Sequence, residues 1–152
     1  MSVSYVFEPN PITSCKVIDS QEHFPVRRIL CVGANYVAHA LEMGRDPSRE
    51  PPFFFAKPTD AIINADRGTN TIIPYPPQTN NFHYEMEMVV TIGKIAENIE
   101  PEETIDVIWG YGVGIDLTRR DLQKAAKDKG RPWELGKGFD KSAVISSLCP
   151  VS

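Results

Sequence analysis

The stretch "HYEMEMVVTIGK", residues 83–94, constrains this chain more than any other. Its side chains alternate with a period of two, which is the signature of an extended strand. Glu85, Glu87, Val89 and Thr91 fall on one face, and Met86, Met88, Val90 and Ile92 on the other. The strand therefore opens with two carboxylates on a single face, their Cα atoms about 6.5 Å apart. At a separation of about 5 Å and an effective dielectric of about 20, two such charges repel by about 3 kcal/mol. Water screens them at a solvated strand end, or one stays protonated, or a cation lies between them.

The rest of the chain suits a strand of that kind. Its 152 residues are enough for one domain with a sizeable core, and 41% hydrophobic with 24% charged residues is a globular composition. Thirteen prolines point to ordered loops and short strands. The net charge of −4 argues against nucleic acid as the main partner, since phosphate binding needs a positive surface. No apolar run is long enough for a membrane helix, and the first twenty residues lack the basic start and apolar run of a signal peptide. Cys15, Cys31 and Cys149 are odd in number, far apart and without a CxxC pair, which reads as reduced thiols in the cytoplasm.

Residues 1–24 read as an N-terminal arm and residues 25–152 as one domain. In that domain "RRILCVGANY" predicts a short strand ending at Gly33. "NYVAHALEMG" predicts a two-turn helix, and "FFFAKPTDAII" predicts buried strands. "IEPEETIDVI" reads as a short acidic helix, with Pro101 in its first turn. "IWGYGVGIDL" reads as a strand, and Thr118 with Asp121 as a capping-box start for a helix ending at Gly130. Short strands with few short helices predict a β-rich α+β fold.

Asp116, at the end of the glycine-containing strand, suits either a helix cap or a third oxygen ligand beside Glu85 and Glu87. Three carboxylates without His or Cys match a hard cation, Mg²⁺, Mn²⁺ or Ca²⁺. His39 and Glu42, three apart on a helix, suit either a surface pair or a general base oriented by an acid. Arg120 and Gln123 share a helix face; the Arg is a fork for a carboxylate, and Lys137 is a point charge for a developing oxyanion, unless each is simply solvated. The run "GYGVG" is no dinucleotide fingerprint, because GxGxxG needs glycine where Ile115 stands.

Taken together, "GANYVAHALE", "HYEME", "GYGVGIDLTRRDLQ" and "KGFD", in that order, resemble the fumarylacetoacetate hydrolase family over about Arg27 to Ala143. The segments "REPPFFFAKPTDA", "YPPQTNNFHYE" and "GRPWELGK" are similar to its fumarylpyruvate hydrolases of gentisate breakdown. The resemblance implies a β-rich roll, usually a homodimer, acting on a small 2-oxo acid with Mg²⁺ or Mn²⁺. It implies Glu85, Glu87 and Asp116 as metal ligands, and His39 with Glu42 as the pair that activates water. Lys137 would meet the substrate oxygens, and Arg120 and Gln123 its carboxylate end. The implied reaction is hydrolysis of the carbon–carbon bond of an acylpyruvate, such as fumarylpyruvate to fumarate and pyruvate. Decarboxylation or isomerisation of a related 2-oxo diacid uses the same metal and the same enolate chemistry.

Two departures from the family pattern stand out. Val144, Ile145, Ser146 and Ser147 replace a Pro and an Ile-Gly-Pro run, and the later strands with their Thr-Gly-Thr-Pro loop are absent. A C-terminally incomplete domain is therefore expected, with open sheet edges and low activity, or as a non-catalytic fragment.

Overall fold

The computed structural model describes residues 3–33 and 52–151. A hairpin-like ladder pairs β1 (Ser14–Lys16) with β2 (His23–Pro25), and a second pairs β3 (Ile29–Gly33) with β4 (Phe53–Lys57). The main sheet runs in the order β5 (Ile62–Ala65), β8 (Ala143–Ser146), β7 (Ile108–Arg119), β6 (Phe82–Ile92), with β9 (Cys149–Pro150) also on β7. β5 and β8 are parallel, and the other pairings are antiparallel. Two helices, α1 (Arg120–Asp128) and α2 (Glu134–Lys137), follow β7. The fold is a strand-rich α+β one, as the density of short apolar runs predicts.

Two apolar clusters sit on opposite faces of the sheet, because neighbours in a strand point oppositely. Ile145 joins Cys15 and Leu148 on one side, while Val144 joins Leu117 and Phe139 on the other. The segment expected as an arm thus contributes Cys15 to the core, and Val17 bridges to Leu148.

β6 turns its acidic face inward. Thr91 is buried and Glu85, Glu87 and Val89 are half-buried, whereas Tyr84, Met86, Met88, Val90 and Ile92 are exposed. Val113 of β7 adds to that exposed apolar face.

One local reading is corrected and one is refined. Thr118 does not cap a helix: β7 continues through it to Arg119, and its side chain is fully buried in the site. Asp121 accepts hydrogen bonds from the Thr79 hydroxyl at 2.6 Å and the Asn80 amide at 3.0 Å, tying down the proline-rich loop instead. The acidic stretch forms a 3-10 helix, Pro101–Val107, closed by a reciprocal Glu100–Glu103 capping box.

Candidate active site

The antiparallel register of β6 on β7 sets Glu85 directly opposite Asp116 and Glu87 opposite Gly114. Residues i and i+2 of a strand share a face, so Glu85, Glu87, Asp116 and Thr118 all project to one side. Asp116 is 8% exposed and Thr118 fully buried. Side chains from three further elements close on this face.

From α2 comes Lys137, at 2% exposure. Its ammonium donates to Glu85 Oε2 and Asp116 Oδ2, both at 2.6 Å, and to Thr118 Oγ1 at 2.7 Å. The approach depends on Gly136, where a Cβ would lie 2.8 Å from the Gln123 amide nitrogen. Any larger residue would push α2 off α1 and draw Lys137 out of the site.

From α1 comes Arg120, which pairs with Glu85 Oε1 and donates to Gln123 Oε1 at 2.6 Å. Gln123 is the buried residue of that helix.

From β4 comes Lys57, whose side chain is 1% exposed. It donates to the Leu117 carbonyl at 3.1 Å and to the Lys137 carbonyl, and lies 2.9 Å from Asp116 Oδ1. Sequence reasoning passed over Lys57. The signal was the same two-residue period that found Glu85 and Glu87: Phe53, Phe55 and Lys57 share the inward face of β4.

Electrostatics follow from this packing. Burial pushes the Glu85 carboxyl up, but the hydrogen bond and charge of Lys137, with the Arg120 guanidinium, outweigh it and hold the group below its ordinary value. Burial drives the Lys57 ammonium below its ordinary value, and the Asp116 charge only partly offsets this. Burial raises the Cys31 thiol to about 11, and the Asp116 charge adds to the effect.

Three carboxylates, Glu85, Glu87 and Asp116, therefore share the site with three fixed cations, Lys57, Lys137 and Arg120. Among the described residues, no three His, Cys, Asp or Glu side chains converge on one point as they stand. Instead the Lys137 ammonium occupies the space between the Glu85 and Asp116 oxygens. Asp116 Oδ1 is buried against the Lys57 ammonium, 2.9 Å away. Three carboxylates on one face are the hard oxygen donors that a divalent cation of the Mg²⁺ or Mn²⁺ kind takes, so the donor set fits one. His39 and Glu42 lie outside the described residues.

The profile of the fumarylacetoacetate hydrolase C-terminal domain matches residues 28–151, most of the chain. The chain belongs to the fumarylacetoacetate hydrolase family. Among solved structures, it is similar to the fumarylpyruvate hydrolase of Pseudomonas aeruginosa in complex with Mn²⁺ and pyruvate. That likeness has a TM-score of 0.94 and 51% identity, over 97% of this chain and 63% of that one. Among curated relatives, the fumarylpyruvate hydrolase of a Ralstonia species is 41% identical over 111 residues, 72% of this chain and 56% of the relative. The mitochondrial oxaloacetate tautomerase FAHD1 of Arabidopsis thaliana is 40% identical over 123 residues, 81% of this chain and 53% of the relative. The chain thus spans little more than half the length of these curated relatives. No helix among the described residues is long and apolar enough to cross a membrane.

Proposed function

We propose that this chain carries the metal-binding half of an acylpyruvate hydrolase, with fumarylpyruvate as the substrate and fumarate and pyruvate as products. The observation that carries the reading is the pairing of Glu85 with Asp116 across β6 and β7, with Lys137, Arg120 and Gln123 closing on the same face. Support also comes from the relatives: the fumarylpyruvate hydrolase that the fold matches at a TM-score of 0.94 was solved with Mn²⁺ and pyruvate.

In this reading Glu85, Glu87 and Asp116 hold Mg²⁺ or Mn²⁺, with Ca²⁺ as a third option. The ion would supply Lewis acidity to the substrate's 2-oxo and carboxylate oxygens. Charge counting favours an anionic substrate. Among the described residues the three carboxylates and three cations cancel, so a divalent ion would leave that face positive and suited to an anion.

Arg120 presents a planar fork to the pyruvate carboxylate, and Gln123 holds that fork in place. His39, oriented by Glu42, takes a proton from water as its oxygen bonds to the distal carbonyl carbon. The carbon–carbon bond then breaks, its electron pair passes to the pyruvate methylene carbon, and the proton that His39 took from water is returned to that carbon to complete pyruvate. Lys137 balances charge on the oxygens as they turn anionic.

A second reading is supported by the 40% identity to an oxaloacetate tautomerase: isomerisation of a 2-oxo diacid on the same site. Ultraviolet absorbance assays with fumarylpyruvate, acetylpyruvate and oxaloacetate, with and without Mn²⁺, separate the two. Cleavage of the acylpyruvates that depends on Mn²⁺ supports hydrolysis. Conversion of oxaloacetate alone supports the tautomerase.

We also expect a homodimer, because the exposed row Tyr84, Met86, Met88, Val90 and Ile92 is a large apolar surface for a monomer. Sedimentation analysis tests that expectation, and a single monomeric species would refute it.

A further inference from the structure

β4 does more than deliver Lys57. Its inward face lays Lys57, Phe55 and Phe53 in a row, each about 6.5 Å from the next. The row leads away from Asp116, so the wall of the site changes from cationic to aromatic along its length. Phe53 lies across Gly33, its cross-strand partner, in space that any Cβ there would fill. Trp133, just before α2, completes the wall: its ring stands edge-on to Phe53 at 5.2 Å and tilted to Phe55 at 5.7 Å. An open slot of about 390 Å³ lies here, lined by Phe53, Phe54, Phe55, Pro132 and Trp133, with Arg131 and Glu134 also on it.

The slot adjoins the reacting centre. The Phe55 ring that lines it also faces the Lys137 ammonium, 5.1 Å from its centroid. The α2 turn joins the two from the other side, with Trp133 just before it and Lys137 at its end. The remote part of a substrate whose 2-oxo end lies at Lys137 would therefore extend along the aromatic wall toward Arg131.

We infer that this slot receives the acyl group of the substrate as a flat, unsaturated chain ending in a carboxylate, and that Arg131 is the residue that selects for that terminal charge. The inference rests on the proposed hydrolase reading and names the acyl half that the metal-binding face leaves open. Rings favour a planar conjugated chain by stacking. The Arg131 amide is pinned by a 2.8 Å bond to the Ala126 carbonyl at the end of α1, which fixes where its exposed side chain starts. Among the described residues that guanidinium has no acidic ion-pair partner within 4.0 Å. The Glu134 carboxylate on the same slot opposes an anion. Discrimination thus falls to Arg131, and its loss should leave the slot hostile to a terminal charge.

Binding can be read without turnover, because Trp133 lines the slot while Trp109 packs against Phe24 elsewhere. Fumarate and crotonate share the unsaturated chain, but crotonate has a methyl group in place of the second carboxylate. Tryptophan fluorescence titrations with both, in Mn²⁺, should show fumarate binding about tenfold tighter to the wild-type protein, as a charged hydrogen bond at a rim would give. Arg131→Met should remove that preference and leave crotonate unchanged, and Trp133→Phe should remove the signal. Arg131→Met should also lower kcat/KM for fumarylpyruvate while sparing acetylpyruvate. Equal affinities for fumarate and crotonate in the wild-type protein would overturn the inference, as would a preference that survives Arg131→Met. If fumarate is preferred through Arg131 but no acylpyruvate is cleaved, the slot stands and the hydrolase reading falls. If acylpyruvates are cleaved without that preference, the reverse holds.

Discussion

Glu85 stands directly across the β6–β7 ladder from Asp116, and one ammonium, that of Lys137, lies 2.6 Å from an oxygen of each. A cation of the protein's own thus occupies the gap between two carboxylates that would otherwise repel. The arrangement explains how a strand with an acidic inward face folds, and it sets how the site should answer to metal, mutation and acid.

If Glu85, Glu87 and Asp116 take a divalent ion, Mn²⁺ at about 100 times its dissociation constant should stabilise the native state by about 2.7 kcal/mol. Thermal melts with and without Mn²⁺ measure this, and Glu85→Gln should abolish the shift. An equal shift in both proteins would place the ion elsewhere.

Lys137→Met should destabilise the metal-free protein by about 3–5 kcal/mol, since it strands two carboxylates that the buried ammonium neutralises. Added Mn²⁺ should narrow that deficit, because the ion replaces the lost countercharge, and the variant should bind Mn²⁺ more tightly than the wild type. Urea titrations in the two conditions decide it: a deficit indifferent to Mn²⁺ counts against the shared position.

The Glu85 carboxyl is held below its ordinary value of 4.5 in the folded state. A depressed carboxyl contributes stability that is fully present above the unfolded-state value and is lost as pH falls through the folded one. Stability should therefore drop below about pH 4.5, and Glu85→Gln should flatten that limb. Chemical denaturation at several acidic pH values provides the test, and parallel wild-type and variant curves would refute it.

Thiol reactivity should divide the cysteines. Burial raises Cys15 and Cys31 to about 11, whereas Cys149 is exposed. At pH 8 a disulfide reagent should modify Cys149 first and the other two only on unfolding, since the thiolate is the attacking form. Fast labelling of Cys31 in the native protein would contradict its placement on the inner face of β3.

Much of the site was legible in the chain before any fold was known. The period of two in residues 83–94 places Glu85 and Glu87 on one face whatever the partner strand, because pleating alone dictates it. Arg120 and Gln123 meet for a similar local reason: three residues apart on a helix, they are neighbours, and they bond at 2.6 Å. Thr118 resembles a helix cap in the sequence because a capping-box pattern and a strand end look alike until the strand's length is known.

Backbone periodicity settles which side chains share a face, so the paired acids, the strand-rich class and the order of the elements were present in the linear chain. It does not settle which strand lies beside which, in what register, or which face turns inward, since those depend on contacts between distant residues. That Asp116 faces Glu85, that β6 buries its acids and exposes its methionines, and that Lys57 and Lys137 arrive from β4 and α2 are long-range outcomes. They follow from the need to bury charges only where opposite charges can meet them.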